Sequence, residues 1–377
     1  MIQTWALLVD AYRELSAKRL FWITLILSGL VVAVFGAFGI NSKGLTFLWW
    51  EFPLPLFNSD TVPPATFYKF VFANFGVPIW LAWVAGVLAL ISTASIIPDF
   101  IAGGAVELTL SKPISRVRLF LIKFVSGLLF VTLQVGLFTG ACFVVIGFRG
   151  GSWEWGLWLA VPIVVLMFSY LFSVCALVGL LTRSTIAALL ITLLVWFAVW
   201  IVNAGDAVMI LQRETAIMDL ESREKLLSQR LETARKQAEK TAAEGQTPVE
   251  PDKNPLVVFA RGQVKEAEES VKTWTKWASI AFGIKTVLPK TGETVALLDR
   301  HLLSLEDRKK FRPETVQPDE LEEEERPRRG RRGRVRVEER VDEVIRARSV
   351  WWVVGTSVAF EGVMLGLACL IFARRDF

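Results

Sequence analysis

Two groups stand out chemically because they lie where charge and polarity are costly. Glu361 sits near the middle of the apolar run Val350–Phe372, and Gln134 near the middle of Phe124–Phe148. An ionisable side chain at membrane depth is by default a candidate functional group, while a polar one can equally serve as a hydrogen bond tying helices together. Burying a bare carboxylate in hydrocarbon is too expensive to persist, so Glu361 is expected to face the bundle, protonated or bonded to a partner such as Gln134. Other chemistry is missing from the sequence. No G-x-x-x-x-G-K-[ST] string is present to cradle nucleotide phosphates. His301 is the one histidine and has no second histidine or cysteine near it in sequence. Cys142, Cys175 and Cys369 fall inside apolar runs, where a thiol acts as a small hydrophobe. No catalytic residue, metal site or bound cofactor is therefore expected, and the chain does not read as an enzyme.

The most basic short stretch between apolar runs is Pro98–Lys123, where Lys112, Arg116, Arg118 and Lys123 face Asp99 and Glu107. Cytoplasmic loops carry this bias. Gly103 and Gly104 break the chain, so that Ala105–Ser111 can form about two helical turns. Lys112-Pro113 then stops them, because the residue before proline is pushed out of the α region. A short helix held between two spans is a lever for another protein. The residues expected to form the contact are Asp99, Gly103, Gly104, Glu107, Ser111, Lys112, Pro113, Ser115 and Arg116.

The string ELTLSKPISR, followed seven residues later by Lys123, resembles the cytoplasmic loop of type-2 ABC transporter permeases, most closely the subfamily associated with multicopper-enzyme maturation. That loop reads roughly Glu-Leu-Leu-Leu-Ser-Lys-Pro-Val-Ser-Arg and leads into a Gly-Lys; this chain has Ile122-Lys123 there. The ending Arg374-Arg375-Asp376-Phe377 is similar to that family's, and the likeness covers about Met1–Asn203 and Ser349–Phe377. The resemblance implies a permease subunit that works with a separate ATP-binding subunit, which would hold the ATP and magnesium, and with a second permease protomer in a homo- or heterodimer.

These residues must be positioned by membrane helices. The chain of 377 residues is 53% hydrophobic, but uninterrupted apolar runs decide the class, since about twenty apolar residues span a bilayer. Met1–Leu20 repeats Trp5, Leu8, Tyr12 and Leu15 on one helical face, and reads as an interfacial helix or an ordinary packed one. No cleavable signal peptide is expected. Six spans follow: Phe21–Ile40, Phe75–Ile97, Phe124–Phe148, Trp155–Leu181, Thr185–Val202 and Val350–Phe372. Lys18 with Arg19, the Pro98–Lys123 loop, Arg183, and Arg374 with Arg375 put both termini in the cytoplasm. Asn41–Asn74, with four prolines and with Trp49, Trp50 and Tyr68 suited to an interface, is expected outside as a loop.

Asn203–Arg348 holds 29 of the 42 Lys/Arg and 28 of the 37 Asp/Glu, so it is charged but balanced. Five spans precede it, which places it outside, and long loops cross largely regardless of charge. Ile217, Leu220, Leu227, Leu231 and Ala234 mark one helix, interrupted by Glu224. Val257, Ala260, Val264, Ala267, Val271, Trp274, Ala278 and Ala281 alternate four and three, a coiled-coil seam. The Pro- and Gly-containing Thr241–Pro255 between them suggests an antiparallel hairpin; two separate surface helices are the alternative. Ile284–Leu303 follows. Glu320–Glu325 and the seven arginines of Arg326–Arg336 form opposite charge blocks that cannot bury a core and read as a solvated linker without nucleic-acid partners.

The expected fold is an all-α, multi-pass protein of the cell inner (plasma) membrane with six transmembrane helices. Residues 1–203 hold spans 1–5, 204–348 an extracytoplasmic coiled-coil insertion and linker, and 349–377 span 6 and a cytoplasmic tail. The expected function is coupling of a partner's ATP hydrolysis to export or mechanical work, with membrane lipid and an extracytoplasmic partner at the hairpin as further contacts. A scaffold or signalling protein that moves no substrate is the alternative.

Overall fold

The computed structural model describes residues 19–53, 58–102, 115–243, 250–304, 307–308, 311 and 337–375. Six of its helices are long and apolar enough to cross a membrane. The chain divides into two compact units: Met1–Trp200 with Leu288–Pro318 and Val350–Phe377, and Ile201–Val287 with Asp319–Ser349.

In the first unit, α1 (Arg19–Ala37) ends three residues short of the expected span, and the chain turns into a three-stranded antiparallel meander, β1 (Phe38–Asn41), β2 (Gly44–Phe47) and β3 (Trp50–Pro53). The sequence reading had a plain loop here. Two contacts pin the meander. Arg149 donates to the Gly36 carbonyl, a cation on the negative end of α1, and Tyr68 Oη donates to Phe38 O at 2.7 Å.

The second membrane helix runs from Pro64 to Ile101. It comprises α2 (Pro64–Val71), a π-helical stretch Phe72–Ala85, α3 (Gly86–Thr93) and α4 (Ile96–Ala102). Pro78 lies inside the π stretch. Proline has no N–H and its ring clashes with the carbonyl four residues back, so a wider turn relieves both.

α5 (Arg116–Gly150) begins at Ser115, whose hydroxyl accepts from Arg118 N at 3.3 Å, and stops at Gly151 in the left-handed region. A 3₁₀ turn Trp155–Leu159 leads into α6 (Ala160–Thr182), the most buried span. The close approach of α5 and α6 depends on Gly127: a Cβ there would lie 2.5 Å from the Phe172 ring, which stacks on Phe124 at 5.1 Å. Arg183, with φ +54°, closes α6 and starts α7 (Thr185–Ala243). α9 (Thr291–Leu302) packs on α6, on the π stretch and on α10 (Val350–Arg374). The division thus puts Leu288–Pro318, expected within the insertion, with the spans.

In the second unit, α7 and α8 (Pro255–Val287) run antiparallel. Arg230 reaches Leu256 O, Arg223 reaches Gln263 O, and Asp206 pairs with Lys285. Every seam position named on α8 is buried or half-buried, while Glu224 of α7 is exposed. A helical segment at 337–346 is tied to α7 by Arg340, which meets Glu221 through two bonds of 2.8 and 3.0 Å.

Candidate functional site

The first unit brings a set of polar side chains together at membrane depth. Glu361 lies eleven residues into α10, about 16 Å from its start at 1.5 Å per residue. Ser169 Oγ of α6 lies 2.9 Å from Glu361 Oε2 and 2.8 Å from Leu166 O of its own helix, so its one proton is shared between the two acceptors. Beside it Tyr170 is fully buried and within electrostatic reach of Glu361, Thr294 and Ser357, yet its Oη closes no hydrogen bond within 3.5 Å. The neighbouring hydroxyls have their protons committed elsewhere: Ser357 Oγ donates to Val353 O at 2.7 Å, and Thr294 Oγ1 donates to Lys290 O at 2.8 Å. Only their lone pairs are left to face the phenol.

Lys290, just before α9, is also fully buried. Its Nζ donates to Thr356 Oγ1 at 2.6 Å and to Leu288 O at 3.3 Å, and lies 4.4 Å over the Trp352 ring. A hydroxyl, a carbonyl and a π face thus receive the ammonium. Its own N–H donates to Ser357 Oγ at 3.0 Å, which fixes the start of α9 against α10. At the other end of α9, Asp299 meets Asn74 at 3.3 Å and pairs with Arg308. α9 is therefore fastened at both ends to the span bundle, and with α6 and α10 it lines the polar cluster.

Gln134 is not part of this cluster. It is 7% exposed, with Nε2 unbonded, and borders a cavity of about 10 Å³ together with Ser28, Gly86 and Met167. The partner that the structure gives Glu361 is Ser169, not Gln134. A serine inside an apolar run gives no sequence signal of its pairing, because helices bond serine to their own carbonyls as readily.

Of the expected loop residues, Gly103, Gly104, Glu107, Ser111, Lys112 and Pro113 lie outside the described residues, as does the helix expected over Met1–Leu20 up to residue 18. The flanks are described. Asp99 is exposed on α4, whose Phe100 is buried and receives Lys123 Nζ 5.2 Å above its ring. Pro98 lies over Gly179 of α6, where an added Cβ would come within 3.2 Å of its ring. Ser115 caps α5, and Arg116 donates to Arg375 O at 2.7 Å and to Ala373 O at 3.3 Å. Arg375 in turn donates to Leu180 O. Two arginines thus donate to the orphan carbonyls at the C-terminal ends of α10 and α6, where helix dipoles favour positive charge.

The second unit holds a charge cluster that the sequence reading missed. Asp206, 2% exposed, meets Lys285 Nζ at 2.7 Å and Arg348 Nη2 at 2.8 Å. Arg348 also lies 5.5 Å over Phe282. Lys285 stands four residues after Ala281, the next position of the apolar seam. A charge falling in step with a seam is the signal that could have found it.

Among the described residues no three His, Cys, Asp or Glu side chains gather as a metal site would require. His301 is exposed. No family model, curated protein or solved structure matches this chain.

Proposed function

We propose that this chain is the membrane-spanning subunit of a type-2 ABC exporter of the plasma membrane, moved by a separate ATP-binding subunit docked on the loop between α4 and α5. The observation that carries the reading is the anchoring of that loop. The string from Glu107 to Arg116 that resembles the family's loop is flanked by two fixed ends: α4, seated on α6 and α5, and Arg116, bonded to the end of α10. A push on the loop is then delivered to three spans at once, which is what coupling requires. In this reading two protomers face each other, the termini are cytoplasmic, and the unit formed by α7, α8 and residues 337–346 stands outside as a coiled-coil hairpin.

The test is co-purification of the tagged chain with an ATP-binding subunit encoded beside it. Glu107→Arg and Lys112→Glu should each lose the ATPase while the permease still inserts, since truncating one partner of a buried charged contact costs about 2–5 kcal/mol. Equal recovery with both variants excludes the loop as the dock. Recovery of no ATPase by the unaltered chain favours the scaffold reading. Labelling of a single cysteine at Ser228 by an impermeant reagent in intact cells checks the sidedness.

A further inference from the structure

The expected fifth span ends at Val202, but the exposed surface of α7 does not turn polar there. From Ile201 to Leu211 its exposed side chains are apolar, among them Ile201 at 51%, Val208 at 49% and Leu211 at 39%. Asp206 is the one charge in this stretch, and it is turned inward. Gln212 is the first exposed polar side chain. α8 presents a mostly apolar surface from the other direction; Ser279 is the one exposed polar side chain from Trp277 to Val287, and its hydroxyl donates to Thr275 O of its own helix at 2.9 Å. After the exposed Lys276 come Trp277 at 53%, Ile280 at 44% and Ile284 at 53%. The one charge here is Lys285, also turned inward, onto Asp206.

The Asp206–Lys285 pair sets the two helices in register. Counting away from it, Gln212 comes six residues on and Lys276 nine residues back, so both surfaces change character within about one turn of the same level. On the returning segment Arg346 is half-buried and reaches back to Asp342 at 3.7 Å, and Arg348 meets Asp206 at 2.8 Å, while Glu343, five residues before Arg348, is exposed.

A largely apolar exterior on two helices, a tryptophan at its margin and the one charge of each stretch paired inward is the surface of a helix in lipid, not in water. We propose that the base of the second unit, Ile201–Leu211 of α7 and Trp277–Val287 of α8, is embedded in the acyl chains of one leaflet, with the water boundary at Gln212 and Lys276. Each stretch is about eleven residues, about 16 Å long. The Asp206–Lys285–Arg348 cluster is then an intramembrane ion cluster, and its complete internal pairing is the condition for its lying there. The occupant of the surface is lipid rather than a second protein because the apolar face begins at one level on both helices, as a slab of solvent imposes. The inference does not depend on any ATPase partner.

The test is fluorescence quenching in proteoliposomes. Single cysteines at Val208, Leu211, Ile280 and Ile284, in a background lacking Cys142, Cys175 and Cys369, carry an environment-sensitive dye, with Ser228 and Thr273 as controls. The four sites should lose emission to doxyl-labelled phosphatidylcholine and none to aqueous iodide, and the controls the reverse. Iodide quenching at the four sites overturns the proposal. So does quenching by neither agent, which would mean a protein-covered face between copies. The unaltered protein gives an independent reading in nanodiscs containing a lipid with an acyl-chain diazirine. Photolabel should appear on peptides covering 201–211 and 277–287 and be absent from 224–240; label confined to the first unit overturns the proposal.

Discussion

Asp206 is the carboxylate that both Lys285 and Arg348 contact, and its replacement is the sharpest perturbation of the second unit. Lys285 and Arg348 are 5% and 10% exposed at the side chain, so Asp206→Asn replaces the carboxylate they share by a neutral amide in a site with little water. Breaking a buried ion pair from one side costs about 3–5 kcal/mol, because the remaining charge keeps its desolvation penalty and loses its compensation. Lys285→Met is the informative contrast. It removes a buried cation and leaves the Asp206–Arg348 pair at 2.8 Å, so its cost should be clearly smaller. Glu221→Gln supplies the exposed reference. Its pair with Arg340 is 46% and 35% exposed, and such pairs contribute about 0.2–1 kcal/mol. Hydrogen exchange of the α7 and α8 amides beside residues 206 and 285, in nanodiscs, reads these differences as opening free energies. At about 1.4 kcal/mol per tenfold, Asp206→Asn should speed exchange by about a hundredfold or more, and Glu221→Gln by about fivefold or less. Exchange in Asp206→Asn within a few-fold of the unaltered protein would refute the argument. So would Lys285→Met proving as costly as Asp206→Asn.

Three further outcomes follow from the geometry. Gly127→Ala places a Cβ 2.5 Å from the Phe172 ring and should lower thermal stability in detergent by the equivalent of about 1–3 kcal/mol, whereas Gly136→Ala, with open space around it, should not. Glu361→Gln can still accept from Ser169 Oγ and should preserve α6–α10 packing, while Glu361→Lys should lower folded yield; equal yields for both would place Glu361 outside the bundle contact. Arg340, bonded to both Glu221 oxygens, holds that carboxyl below its ordinary value. The stabilisation is therefore present above the unfolded pKa of about 4.3 and lost as pH falls through the lower folded value. The opening free energy at 337–346, read from exchange corrected for the intrinsic pH dependence of the amides, should be flat through neutral pH and fall only in acid, and Glu221→Gln should remove that fall.

The sequence by itself determined the membrane class and the number of apolar helices, because a run of about twenty uncharged residues has few other uses. It also placed the seam of α8, since Val257 to Ala281 repeat every three or four residues and helix geometry puts such residues on one face. It marked Glu361 as anomalous. What it could not supply was the partner, because Ser169 is one of many serines and threonines in spans and nothing local distinguishes the one whose hydroxyl meets a carboxylate 192 residues away. The meander at Phe38–Pro53 was hidden in proline- and tryptophan-rich sequence whose strands are only four residues each. α9 was assigned to the insertion by its position in the chain, yet the buried Lys290 just before it and its own Asp299 fasten it to the spans. The same holds for Asp206, Lys285 and Arg348. Each looks like one more charge in a charged segment, and only the antiparallel register of α7 and α8 and the return of the chain at Arg348 bring the three to one buried point. Periodicity reports which face of a helix is turned away from water; which residues meet across that face is decided by register and by long-range chain return, and neither is encoded within any one helix.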